Sequence, residues 1–89
     1  MNDLAVPRLN SHFRLQWEQA QDCYVLLYPE GMVKLNGSAG MILSRIDGVR
    51  TVAQLVAELE AQFPDVPTVS EDIRSFLSTA SAQRWVDFD

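Results

Sequence analysis

Leu26-Leu27-Tyr28-Pro29-Glu30-Gly31-Met32-Val33-Lys34-Leu35-Asn36 reads as two short strands joined by a turn, the second running straight into a helix start. Pro29 presets its own φ and Gly31 accepts a positive one, so Pro29-Glu30-Gly31 supplies the turn. In the strand before it, Cys23, Val25 and Leu27 point one way and Tyr24, Leu26 and Tyr28 the other. A strand apolar on both faces is the centre of a small sheet, with a neighbour on each side. Upstream, Phe13, Leu15 and Trp17 alternate with Arg14, Gln16 and Glu18, the pattern of a half-buried strand. Gln19-Ala20-Gln21-Asp22 has the length and polarity of a hairpin loop. The third strand, Met32–Leu35, puts Val33 and Leu35 on one face and Met32 and Lys34 on the other. Nothing after Asn36 shows a strand pattern, so Met32–Asn36 is expected to form the outer edge of the sheet. Unpaired edges are hidden, spoiled or used; this one is read as used.

At Asn36-Gly37-Ser38 the apolar period changes from 2 to 3.6. Ala39, Ile42, Leu43 and Ile46 mark one face of a short helix, which Asp47-Gly48 ends. Thr51 with Gln54 forms a capping-box signature for a second helix, whose apolar face is Val52, Leu55, Val56, Leu59 and Phe63 and whose stop is Pro64. Thr68 with Glu71 repeats that signature for a third helix beginning there or at Ser70, with the stripe Val69, Ile73, Phe76, Leu77 and Ala80. Trp85, Val86 and Phe88 are expected to pack back onto the body. Residues 1–12 have no periodicity and are read as a flexible lead-in, leaving residues 13–89 as one βββααα domain. The fold class is α+β, a three-stranded antiparallel sheet followed by three helices in a winged-helix-like order.

With 89 residues, 47% of them hydrophobic and 21% charged, the chain has enough apolar material for one small core. Its net charge of -5 sets it against phosphate backbones and anionic membrane surfaces, so neither nucleic acid nor membrane is an expected partner. Cys23 is alone and makes no internal disulfide, which fits a reducing cytoplasm. Residues 1–8 lack a basic region followed by an apolar run, so no signal peptide is expected, and no stretch reaches transmembrane length.

Catalysis needs a nucleophile with its base, or a metal with its ligands. His12 is the one histidine, and with Cys23 it falls short of the roughly four ligands of a structural zinc site. The carboxylates are scattered along positions that read as solvated. Asn36-Gly37-Ser38-Ala39-Gly40 has no lysine for a phosphate loop. The expectation is a binding protein with no cofactor or metal of its own, and not an enzyme.

The quoted stretch resembles the signature of the pyrroloquinoline quinone biosynthesis protein D (PqqD) family. The likeness continues through Ser38-Ala39, Ile42-Leu43, Ile46-Asp47-Gly48, Thr51-Val52, Leu55-Val56, Leu59 and Phe63, and ends with Asp72-Ile73, Phe76-Leu77 and Trp85-Val86. It covers about residues 13–86. Two positions depart: Glu18 stands where the family often has Asp, and Arg84 where it commonly has Gly. The resemblance implies a chaperone-like protein that binds the ribosomal precursor peptide PqqA and presents it to the radical S-adenosylmethionine enzyme PqqE, which cross-links Glu and Tyr side chains of the peptide. Iron–sulfur clusters and S-adenosylmethionine would belong to that partner.

In related domains the leader peptide lies along the third strand, in the cleft beside the third helix. Carried onto this chain, that puts Met32, Val33, Lys34, Leu35 and Asn36 in the peptide ladder, with Val33 and Lys34 as the backbone donors to test. From the third helix it brings Ile73 and Leu77 as a floor, Arg74 as a partner for a carboxylate or carbonyl, and Ser78 and Ser81. Ile73, Leu77, Val33 and Leu35 also fit ordinary core positions, and Lys34 fits a charge that discourages edge aggregation. A homodimer is open as well, because an exposed edge can pair with its own copy.

Two other classes share coarse features. A winged-helix DNA-binding regulator needs a basic recognition helix, whereas the third helix carries Arg74 against Glu71 and Asp72. A phosphopantetheine carrier needs a serine opening a helix in an all-helical chain, and here Ser38 follows a strand.

Overall fold

The computed structural model describes residues 2–88. Met1 and Asp89, at the ends of the expected lead-in and domain, lie outside the described residues. The elements are β1 (Pro7–Leu9), β2 (Arg14–Glu18), β3 (Cys23–Tyr28), β4 (Gly31–Lys34), α1 (Gly37–Ser44), α2 (Val52–Gln62), α3 (Val69–Ala82) and β5 (Val86–Phe88). The expected meander is present as an antiparallel sheet in the order β2-β3-β4. Its registers run Leu15 opposite Leu26 and Leu26 opposite Val33. Those three side chains share the inner face of the sheet, since alternate residues point to opposite sides.

Leu26 has no exposed surface and packs in a cluster with Leu35, Ala39 and Leu43 from the start of the helical half, Ala80 from α3 and Val86 from β5. A second cluster joins Ile42, Val52, Val56, Leu59, Val69, Ile73 and Leu77 between the three helices. Val25, on the outer face, is equally buried. Its ladder neighbours there are Gln16 and Lys34, whose aliphatic stems can lie over it.

Each helix start has a distinct cause. The Asn36 side chain accepts from the Ala39 amide at 2.8 Å and caps α1. Thr51 and Gln54 form the reciprocal capping box at α2. At α3 the expected box is absent: the Thr68 hydroxyl donates to Asp72 Oδ2 at 3.0 Å, and no side chain caps the helix. Glu71 and Asp72 still place negative charge in the first turn, where the helix dipole favours it.

Two strands were not expected. Pro7–Leu9 pairs antiparallel with Val86–Phe88, Pro7 opposite Phe88 and Leu9 opposite Val86. The reading of residues 1–12 as a flexible lead-in, and of no strand after Asn36, therefore needs correction. Three residues on either side are too few to show a period, and a proline opens one of them. Such a ribbon forms only because each half supplies the other's hydrogen bonds. It stands apart from the main sheet, so β4 keeps its open edge.

The end of α3 shows why glycine suits the position that Arg84 holds. The Arg84 amide donates to Ser81 O at 3.0 Å and the Trp85 amide to Ala80 O at 2.9 Å, the paired bonds of a Schellman ending. That motif places Arg84 at a φ of 63°, a left-handed conformation suited to glycine. Close packing imposes the reverse demand at Gly40: a Cβ there would lie 2.9 Å from Tyr24 Cδ2 and 3.1 Å from Tyr24 Cβ.

Two substitutions test these constraints by urea denaturation. Arg84→Gly should raise stability by about 0.5–1 kcal/mol, as relief of a left-handed side-chain conformation outweighs added chain entropy. Gly40→Ala should lower it by about 1–3 kcal/mol through overpacking against Tyr24.

Candidate peptide-binding edge

Backbone polarity along β4 follows from one bond. The Leu35 amide donates to Tyr24 O at 3.0 Å, so Leu35 faces β3. Antiparallel pairing turns successive residues to opposite sides, so Val33 also faces β3 while the N–H and C=O groups of Met32 and Lys34 point out from the sheet. Val33 is therefore a donor within the fold, and its expected place among the peptide-facing backbone groups is corrected. Met32 is 53% exposed, Lys34 is exposed, and Val33 is half-buried against the inner cluster. Leu35 belongs to that cluster, and the Asn36 side chain is occupied in capping α1.

The other edge of the sheet, β2, has alternating Arg14, Gln16 and Glu18 along its outer face, a row of polar groups that blunts strand addition. At β4 the edge leads instead to α1, and two residues beyond Asn36 a cleft opens. Ser38, Met41 and Ile42 of α1 face Val69, Asp72 and Ile73 of α3 across a cavity of about 210 Å³, with Phe63 and Val66 at its far wall. The lining is apolar apart from Ser38 and Asp72.

Helix α3 presents its expected residues in three directions. Ile73 is 2% exposed and forms part of the cleft wall, while Leu77 is wholly buried in the helical core. Arg74, Ser78 and Ser81 lie on the opposite flank from Asp72 and Phe76, as 3.6 residues per turn requires. That flank meets the N-terminal segment. Ser78 and Ser81 border a cavity with Asn2, Ala5 and Phe88. Arg74 forms an ion pair with Asp3, and its Nε also donates to Ser70 Oγ at 3.1 Å. The same segment supplies acceptors to the start of α2, with the Val52 amide on Ala5 O and the Ala53 amide on Asp3 O. Ser38, Met41, Val66, Asp72 and Phe76 were not among the expected site residues. Helical spacing puts Asp72 and Phe76 on one flank of α3, but which way that flank faces is set by packing.

The hydrogen bond from Arg74 holds the Asp3 carboxyl below its ordinary value of 3.8, and the charge of Arg74 adds to the effect. Asp47 is lowered too, chiefly by the backbone amides of Arg50 and Val49 donating to its side chain at 2.9 Å. Among the described residues no group of three or more His, Cys, Asp or Glu side chains is placed to hold a metal ion. No helix of the described residues is long and apolar enough to cross a membrane. The DNA-binding alternative has no support here, as the one cation of α3 is taken by Asp3.

Taken together, these elements define a small winged-helix-like domain whose open β4 edge runs beside a helical cleft. The family model for coenzyme PQQ synthesis protein D matches residues 23–86. The chain belongs to the PqqD family. It is 59% identical over 83 residues to a PqqA binding protein of Pseudomonas aeruginosa, covering 93% of this chain and 90% of that one. The corresponding protein of Azotobacter vinelandii is 49% identical, with 98% and 92% covered. Among solved structures, the NMR structure of the PqqD truncation of Methylobacterium extorquens PqqCD, a stand-alone RiPP recognition element, superposes with a TM-score of 0.75 at 30% identity, covering 92% of this chain and 88% of that one. The crystal structure of PqqD from Xanthomonas campestris gives 0.55 at 31% identity, covering 96% of each chain.

Because both carboxyls are lowered in the fold, each stabilises it above pH 3.8 and loses that contribution as pH falls through its lowered value. The stability difference between the native chain and Asp3→Asn, or Asp47→Asn, should be positive at neutral pH and narrow below pH 3.8. Urea titrations across that range measure it.

Proposed function

We propose that this chain binds the precursor peptide PqqA as an added strand along β4 and presents it to the radical S-adenosylmethionine enzyme PqqE in the synthesis of pyrroloquinoline quinone. The observation that carries this reading is the pair of outward-facing backbone groups, Met32 and Lys34, on an edge that runs toward an apolar cleft. An added strand takes affinity from those groups and specificity from pockets for alternate side chains. Side chains of the peptide on the inner face meet Val33 and the α3 flank bearing Phe76. As the peptide passes the end of β4 it reaches Ser38, Met41, Asp72 and Ile73.

In this reading the protein is a binder and leaves the chemistry to the partner that carries the clusters. It works in the cytoplasm, where a lone thiol such as Cys23 stays reduced. Peptide and a second copy of the chain would compete for the same edge, so a homodimer through β4 is an alternative state to the peptide complex.

Calorimetric titration with PqqA tests the strand. Lys34→Pro removes an outward donor and no internal bond, so affinity should fall roughly three- to tenfold with the fold intact by circular dichroism. Val33→Pro should instead lower stability by about 1–3 kcal/mol, because it breaks a bond to β3. Unchanged affinity in folded Lys34→Pro rules out strand addition at β4. If adding this chain does not raise PqqE's affinity for the peptide, the presenting role fails while binding stands.

A further inference from the structure

On the other side of α1 from the cleft, a second cavity of about 300 Å³ opens between the β2–β3 hairpin and the helix. It is lined by Trp17, Asp22, Cys23, Tyr24, Gly37 and Gly40, among others, and shares only Met41 with the cleft. Trp17 stays 45% exposed there. Its ring meets Tyr24 edge to face, centroids 5.0 Å apart and planes at 72°, so two aromatic surfaces form a corner. The indole N–H already donates to Gln19 Oε1 at 3.2 Å, which leaves the ring as a π surface with its polar atom satisfied.

The facing wall carries two glycines, Gly37 and Gly40, between the side chains of Asn36, Met41 and Ser44. Gly40 is pressed so closely on Tyr24 that a Cβ would collide, while a Cβ on Gly37 would meet nothing within 4 Å. Asp22 brings the one formal charge of the lining, and no lysine or arginine lines the cavity.

These features select the occupant. An anion is repelled by Asp22 and by the net charge of -5. A purely apolar side chain would desolvate the carboxylate without pairing it. A cation is attracted both by the aromatic faces and by the carboxylate. Among cations, a planar guanidinium lies flat on an aromatic ring and turns two parallel N–H donors to a carboxylate, a geometry that the point charge of an ammonium lacks. We propose that this slot binds an arginine side chain displayed by a partner protein, at a place that contains neither Met32 nor Lys34, the outward-facing residues of β4. A partner held here leaves that edge open to the peptide.

The test uses the full chain, labelled with 15N, and N-acetylarginine amide as the probe. Saturable shifts are expected at the Trp17 indole N–H and the Gly37 and Gly40 amides. N-acetyllysine amide, with the charge but not the fork, should bind more weakly, and N-acetylcitrulline amide, with the shape but not the charge, should not bind. Trp17→Ala and Asp22→Asn should each weaken binding by about threefold or more. Gly37→Leu has space for its Cβ and should fill the slot, removing the shifts while circular dichroism stays native. Equal shifts with either control amide, absence of saturation, or an unchanged titration in folded Gly37→Leu would overturn the proposal. Neither PqqA nor PqqE enters this experiment, so its failure leaves the β4 reading untouched.

Discussion

Leu26, buried without remainder in the middle of β3, is where every layer of this small protein meets. Its side chain joins residues from α1, α3 and β5 in one cluster, so the sheet cannot slide relative to the helices without opening that contact. A one-residue slip of β3 would exchange Leu26 for Val25 or Leu27 and turn Tyr24 away from Gly40. The near-collision distances at Gly40 show how little room the arrangement leaves. In a domain of this size, loss of one such packing contact is a sizeable fraction of the total stability.

From that anchor the exposed edge follows by parity. With Leu26 facing the helices, Val33 opposite it must face them too, and the Leu35 amide must turn to Tyr24. Met32 and Lys34 are then committed to the outside, in side chain and in backbone. The open edge is thus a consequence of packing the inner face, and among the described residues no further strand covers it, since β1 and β5 pair with each other.

The N-terminal segment has a different character. Its hold on the body is polar: carbonyls of Asp3 and Ala5 satisfy amides at the start of α2, and Asp3 pairs with Arg74. A helix start leaves backbone donors that must find acceptors, and α2 takes two of them from Ala5 and Asp3, 47 and 50 residues earlier in the chain. Exposed ion pairs contribute little by themselves. Here the ribbon, the carbonyls and the ion pair act on one continuous segment and order it together.

Periodicity alone placed β2, β3, β4 and the three helices, because each carries enough residues for its apolar pattern to repeat. It also singled out β4 as an edge and Thr51 with Gln54 as a cap, since these depend on neighbours in the chain. The resemblance to the family marked position 84 as one where glycine is common. What escaped were features made by residues far apart in sequence. Pro7–Leu9 and Val86–Phe88 become strands only in each other's presence. Arg74, Ser78 and Ser81 came to the peptide side from the resemblance to the family, and only packing reveals that their flank of α3 meets the N-terminal segment. The outward turn of Met32 and Lys34, and the inward turn of Val33, likewise rest on a single interstrand bond. Chain-local physics determined the elements; the pairing of distant segments decided which of their surfaces remained free.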